Sequence, residues 1–401
     1  MKKRVLIAVL LSLLATFVLM LTSCKTNVDG SAGLEYELSE DGGFYTVVGL
    51  GECADSELVI PSEYKGLEVG AIGDQAFAVC EGITSVVIPG SVKTVGMQAF
   101  ARSVNIKSVT FSDGVEDIAK GAFSGCSGLT DIIIPDSVKS IGEGTFNGCS
   151  GLTSITLPFV GSGIERPTNY DDSEFRQTLF GYIFGVEYYE GSAKTEQFSS
   201  APSSGTVFYL PFGLETVTVT GGSIYGLAFD GCNNLKKIAV GDGVKRIGNY
   251  AFSECKSLAE LDLPYLNETA ESSISRPICF LFNWGYYNNS YIVNSSLDDG
   301  KNFYVPNSLV SVTVRGGWIG NIAFEGMKTL ESVTFGDGVR SLGKNVFKGC
   351  NALEQVVFTK KGWMLKADDG MTDIDLSDSA INVEKLKGEY ADLELVRKLP
   401  R

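Results

Sequence analysis

The chain has 401 residues, with 33 Lys+Arg against 48 Asp+Glu, a formal net charge of −15 and no histidine. So acidic a surface argues against a binder that tracks nucleic-acid phosphates, and the missing histidine excludes Ser-His, Cys-His and His-metal chemistry together. Glycine (47) far outnumbers proline (11), and an apolar content of 44% is ample for a packed core, which excludes a disordered chain.

The first segment is an address. Lys2-Lys3-Arg4 precedes an apolar run from Val5 to Leu21, relieved only by Ser12 and Thr16, and Thr22-Ser23-Cys24 comes next. A basic start, an apolar middle and small residues at the end make a secretory leader. At about 17 residues the run sits at the lower edge of what spans a bilayer, so a plain signal-anchor helix is the other reading. Leu21-Thr22-Ser23-Cys24 resembles the bacterial lipobox. The resemblance implies that residues 1–23 are cleaved as a lipoprotein signal peptide, that Cys24 carries a diacylglycerol, and that 24–33 is a tether. Loss of Lys2, Lys3 and Arg4 would take the net charge from −15 to −18.

Downstream, one pattern repeats, and a period of this size signals a solenoid. Phe77, Phe100, Phe123 and Phe146 lie 23 residues apart, as do Phe229 and Phe252, and Phe324 and Phe347. Counting from each Phe, position +3 is Cys in six of these eight units: Cys80, Cys126, Cys149, Cys232, Cys255 and Cys350. Position +6 is always Leu or Ile, and +9 and +11 are aliphatic or Phe. Phe208 and Phe303 open two further units in the same register, 21 residues before the next Phe, which gives ten coils. In L-x-x-V-x-I the last two apolar side chains share one face of an extended segment. A Pro or Gly then closes the strand, as at Pro89, Pro135 and Gly336. A second apolar pair at +15 and +18, such as Val92/Val95 and Val138/Ile141, turns inward again. No coil buries its apolar face alone, whereas stacked coils share one core. Ten strands at ~4.8 Å spacing make a rod about 50 Å long with a parallel sheet on one side.

Ile141-Gly142 through Phe146, Cys149, Leu152 and Ile155 to Pro158 resembles the unit of the BspA-like leucine-rich repeats of bacterial surface proteins. The likeness runs over about residues 34–360. It implies a repeat solenoid, an α/β-type leucine-rich repeat that is mostly β with short irregular or helical turns, a parallel sheet on one face and a cap at each end. Residues 34–75, from Leu34-Glu35-Tyr36 to Gly66-Leu67-Glu68-Val69, look like the N-terminal cap, leaving 76–360 for the solenoid. Ser91, Ser137, Gly243 and Gly338 stand where the better-known leucine-rich pattern carries its asparagine ladder. The family implies a non-catalytic surface scaffold for protein binding or adhesion.

Two insertions, 159–207 and 265–302, interrupt the rhythm and resemble each other. Each opens with Leu-Pro-aromatic, carries an aromatic block and rejoins through Phe-Tyr-aliphatic-Pro. Phe229 to Phe324 and Phe252 to Phe347 both span 95 residues, the mark of a duplicated longer unit. Tyr182, Tyr188 and Tyr189 in the first block, and Trp284, Tyr286 and Tyr287 in the second, are the candidate ligand-binding residues. Tyr and Trp anchor interfaces and stack on sugars; the other reading is that these rings pack each insertion on the solenoid flank. Beyond Phe358 the rhythm ends. Residues 361–401 are expected to cap the last coil with a short helix, N-capped by Ser377 or Asp378 and stopped at Gly388.

The remaining chemistry-bearing patterns have plainer explanations. The +3 cysteines are expected to form a buried thiol ladder, since parallel side chains suit disulfides poorly. With no Cys-x-x-Cys there is no sequence support for zinc, and Cys53 and Cys279 fall outside the ladder. Ser-x-x-Lys occurs at Ser62/Lys65, Ser253/Lys256 and Ser341/Lys344, without the companion elements of a Ser-Lys enzyme. Asp368-Asp369 with Asp373 and Asp375 lacks EF-hand spacing, so bound calcium and a solvated loop both stand. At the outward strand positions, +8 and +10, eleven of twenty residues are Ser or Thr and four are charged; such a surface suits strands and a binding face alike. The expected partner is a surface protein, or a glycan held by the insertions, or none if the chain is a purely structural envelope protein. No cofactor, metal, nucleic acid or catalysis is expected.

Overall fold

The computed structural model describes residues 30–163, 176–198, 205–266, 276–282, 288–294, 301–367 and 370–398. The leader and Cys24 lie outside the described residues, as do Trp284, Tyr286, Tyr287, Asp368 and Asp369. The chain is a repeat solenoid built around a parallel sheet. Its strands include Ser85–Ile88, Ser108–Phe111, Asp131–Ile133, Ser154–Leu157, Thr216–Val219, Lys237–Val240, Glu260–Leu263, Ser311–Ile319, Ser332–Leu342 and Gln355–Phe358. Neighbours pair parallel and residue for residue, with one break in the ladder between Phe111 and Asp131. The two-residue alternation decides which side chains enter the core: Val86 and Ile88, Ile155 and Leu157, and Val333 and Phe335 are all at most 2% exposed. A second, shorter parallel ladder runs through Thr94–Val95, Asp117–Ile118 and Ser140–Ile141, where the apolar +18 residue of each coil turns back inside.

The phenylalanines close each coil between the two ladders. Phe77, Phe100 and Phe123 stack with centroids 5.1 and 5.2 Å apart and nearly parallel rings. Where one coil follows another directly, the Phe N–H donates to the carbonyl of the residue before the next Phe, as Phe100 does to Ala122 (2.7 Å). The turn around each Phe is tight. Residues two before and two after it have left-handed backbones, from Gln75 (φ 56°) and Val79 (58°) to Asn345 (55°) and Gly349 (76°). The Gly that follows the apolar +18 residue in most coils, as in Ile141-Gly142, has a different cause. A Cβ on Gly142 would lie 2.3 Å from the backbone nitrogen of Lys120 in the preceding coil.

Five of the six ladder thiols are buried, Cys80 at the first coil being half-buried, and four of them are bonded alike. Cys126, Cys149 and Cys255 each donate Sγ–H to the carbonyl of the Phe one coil earlier at 3.2 Å, and Cys350 does so at 2.9 Å. Ser103 stands in the same place in its coil and donates to the Phe77 carbonyl at 2.7 Å. Small size and one donor are what the position needs, and none of these four cysteines forms a disulfide. Burial pushes the Cys126 and Cys350 thiols up to about 12, so neither carries reactive thiolate.

The two extra units are built otherwise than their register predicts. Leu214, Val217 and Val219 are buried in the expected places. Phe208 and Phe303, however, lie on hairpin strands, Thr206–Pro211 paired antiparallel with Ser192–Gln197, and Asn302–Pro306 with Ser290–Asn294. Their place in the turn column is taken by single 3-10 turns, Phe180–Ile183 and Ile278–Leu281. Phe146 N–H donates to the Ile183 carbonyl (2.9 Å) and Phe180 N–H to that of Ala228 (2.8 Å), so the insertion completes the stack. Phe208 backs this turn from behind: Gly181 has no side chain because a Cβ there would meet the Phe208 ring at 2.4 Å.

Past Phe358 the chain turns antiparallel. Trp363–Ala367 lies between Gly370–Ile374 and Glu394–Arg397, and the last of these also pairs with Ser341 and Leu342. The helix Ser379–Lys387 is capped by the Asp378 carboxylate, which accepts from the Ala380 and Ile381 N–H groups, and it ends at Gly388. Asn382 on this helix, 1% exposed, donates to the carbonyls of Val356 (2.8 Å) and Leu376 (3.0 Å). No helix among the described residues is long and apolar enough to cross a membrane.

Candidate functional site

The outward sheet face runs along the strands of the solenoid. The pairing registers align Asp131, Ser154, Thr216, Lys237, Glu260, Ser311, Ser332 and Gln355 in one row, with Ile133, Thr156, Thr218, Ala239 and Asp262 in the next. Ser332 donates to the Ser311 hydroxyl at 3.0 Å, and Lys237 pairs with Glu260 at 2.9 Å in the open. Exposed pairs of this kind contribute about 0–1 kcal/mol. Ile133, 58% exposed, and Val87 give the face its apolar points. The face offers hydroxyls and four charges, Asp131, Glu260 and Asp262 against Lys237. Of the three Ser-x-x-Lys pairs, Lys65 lies 5.0 Å over the Tyr64 ring, Lys256 pairs with Glu254 at 3.5 Å, and Ser253 is fully buried. Among the described residues no cluster of three or more acidic or sulfur ligands could hold a metal ion.

The three described candidate tyrosines have separate surroundings. Tyr188 is 71% exposed and meets Tyr209 edge-on at 5.6 Å. Tyr182 is half-buried in the 3-10 turn, and burial raises its hydroxyl above the ordinary range. The Tyr189 hydroxyl is buried with no hydrogen-bond partner among the described residues, and burial raises it further. Phe180 and Phe184 of the same block are wholly in the core. Backbone hydrogen bonds tie this block to Gly144, Phe146 and Ala228, on the turn side and away from the sheet face.

A groove that the periodic pattern concealed lies on the edge where strands leave the sheet. Arg315 reaches back across two coils. Its Nε donates to Asp242 Oδ1 (3.0 Å), and its terminal nitrogens meet the Asp262 carboxylate and the Val240 carbonyl. Beside this clamp, Gly316, Gly317 and Gly338 floor a groove of about 510 Å³, with Trp318, Arg340 and Tyr265 on its walls. Tyr265 is fixed by its hydroxyl, which donates to the Val244 carbonyl at 2.8 Å. The sequence signal was the 95-residue offset: Thr220-Gly221-Gly222-Ser223 recurs as Arg315-Gly316-Gly317-Trp318.

Comparison with known proteins agrees with this architecture. The profile of the BspA type Leucine rich repeat region matches in six copies, over residues 69–171, 207–277 and 300–366. The chain belongs to the BspA-type leucine-rich repeat family. Among solved structures, a leucine-rich repeat protein of T. pallidum is similar at 18% identity, covering 80% of this chain and 88% of that one, with a TM-score of 0.31. A leucine-rich cell surface protein of Faecalibacterium prausnitzii is similar at 20% identity over 82% and 94%, with a TM-score of 0.27. A leucine-rich repeat protein of Bacteroides capillosus reaches 31% identity over 26% of this chain and 80% of that one, with a TM-score of 0.25. No curated protein matches the sequence. BspA-type repeats are typically non-enzymatic modules of protein interaction, and the chain is a repeat scaffold of that kind.

Proposed function

We propose that this chain is a non-catalytic, lipid-anchored cell-surface protein that adheres to a protein partner through the outward face of its solenoid. The observation that carries the reading is the long row of Ser and Thr on that face in a family of interaction repeats. Leu21-Thr22-Ser23-Cys24 supports the anchor. On this reading residues 1–23 are the leader, 24–33 the tether, 34–75 and 361–401 the caps that seal the end coils. Labelling cells with a clickable fatty acid tests the anchor: the label enters the parent chain and is lost in Cys24→Ala, and an unlabelled parent sinks that part. For the face, capture of host and matrix proteins by the full chain should fall at least tenfold with Ile133→Asp, which places a charge at an exposed apolar point. Capture that ignores Ile133→Asp puts the contact elsewhere.

Tyr188 favours a second reading, a glycan held by the insertions, because this ring is exposed on a fixed aromatic neighbour. Its test is Tyr188→Ala on a glycan array. Deleting residues 159–207 is not a clean test, since it would strip Phe180 and Phe184 from the core.

A further inference from the structure

The duplicated unit supplies its own control for the groove beside Arg315. Thr220 in the first copy reaches back to Asp136 (2.5 Å) as Arg315 does to Asp242, so the two edges have the same construction. In the first copy a Cβ on Gly222 would meet the Phe159 Cβ at 2.8 Å; in the second, the Gly317 equivalent stands 3.5 Å from Tyr265. The second edge is therefore looser, and an open groove takes the place of a tight contact. Ser223 and Lys245 of the first copy become Trp318 and Arg340. Since the fold is satisfied by Ser at this position, packing does not demand the Trp.

Trp318 is 44% exposed, an unusual position for the largest side chain. The exposed Arg340 guanidinium lies over its ring, 5.2 Å from the centroid, and makes no hydrogen bond or ion pair among the described residues. The Asp242 side chain is 82% exposed, yet Arg315 holds it in place by Oδ1. The floor is glycine backbone, which lets a flat ligand approach closely. One exposed indole, one held carboxylate and one guanidinium with no protein hydrogen-bond partner thus surround a bare floor.

We propose that this groove binds one ring of a neutral saccharide. A pyranose has an apolar C–H face, whose positive hydrogens are attracted to the indole face that Arg340 leaves open. Its neighbouring hydroxyls donate to Asp242 and accept from Arg340. Asp242 and Asp262 balance Arg315 and Arg340, so the groove as a whole selects against a charged ring. A peptide anchor would require an enclosed apolar pocket, and here Trp318, Tyr265 and Pro264 stand around an open backbone floor. This site is separate from the sheet face and from the insertion tyrosines.

Titration calorimetry of the full chain against neutral gluco-, galacto-, manno- and xylo-oligosaccharides tests it, with uronate oligosaccharides and Trp-bearing peptides run beside them. At least one neutral oligosaccharide binds and shifts the tryptophan fluorescence. Trp318→Ser, a residue the first copy already carries here, weakens that binding at least tenfold, and Asp242→Asn and Arg340→Gln each by about tenfold. Circular dichroism shows the variants folded, and Tyr188→Ala leaves this binding intact. The proposal is overturned if no neutral saccharide binds, if only the uronates or peptides do, or if the loss follows Tyr188→Ala and not Trp318→Ser.

Discussion

Val79 is a β-branched residue held at φ 58° with 61% of its side chain in water. A left-handed backbone costs a residue with a Cβ about 1–2 kcal/mol, and β-branching makes it worse. Five of the eight coils put glycine at this corner, among them Gly125 and Gly148. The glycines of the Phe-x-Gly-Cys corner were visible in the sequence as turn residues, but the left-handed requirement shows only in the backbone, because Val79, Arg102 and Glu254 also meet it. Val79→Gly removes strain and almost no packing, while the unfolded chain gains freedom worth somewhat less. The expected result is a gain of about 1 kcal/mol in a urea titration; a lower midpoint would mean that the Val79 side chain holds the first coil by contacts its exposure hides.

At the scale of the element, the insertions show where periodicity stops being informative. The +6, +9 and +11 register located the strand after Phe208, because those residues answer to the sheet alone. It could not reveal that Phe208 belongs to a hairpin, since a buried Phe reads the same on a strand as in a turn. The hairpin is held by Gln197, which is fully buried: its Oε1 accepts from Gly181 (2.7 Å), and its Nε2 donates to the carbonyls of Ala228 (3.2 Å) and Asp230 (3.0 Å). Next to this junction the Asp230 carboxyl is 5% exposed, and burial pushes it up to about 6, the neighbouring Ser253 hydroxyl and Lys256 only partly opposing and Glu254 adding to it. In the second copy the corresponding acid, Glu325, has Lys348 at 3.0 Å. Asp230 therefore favours folding while protonated, and that contribution is lost as pH rises from about 4 to about 6, a difference worth about 3 kcal/mol. Asp230→Asn should be more stable than the parent at pH 7 by about 1–3 kcal/mol, and the gap should close at pH 4. A gap that is flat from pH 4 to 7 would show that the carboxyl titrates normally.

On the whole molecule, the sequence made the solenoid plain because a 23-residue period is repeated evidence for one coil. It hid Trp318 for the same reason: a position that departs from the repeat carries no periodic signal, and only comparison across 95 residues isolates it. The repeat also sets how a defect spreads. Each coil touches its neighbours and little else, so stability is close to a sum of coil and interface terms. Asn382 joins the terminal helix to the last ladder strand through Val356, and truncating it leaves two buried carbonyls short of a donor at a cost of about 1–3 kcal/mol. In Asn382→Ala, amide exchange should quicken by about tenfold or more in Gln355–Phe358, whose first amide donates to Glu331, and in the helix Ser379–Lys387. Ser85–Ile88, many coils away, should keep the parent rate. Equal quickening at both ends would mean that the chain opens as one cooperative body, and the nearest-neighbour account of this solenoid would fail.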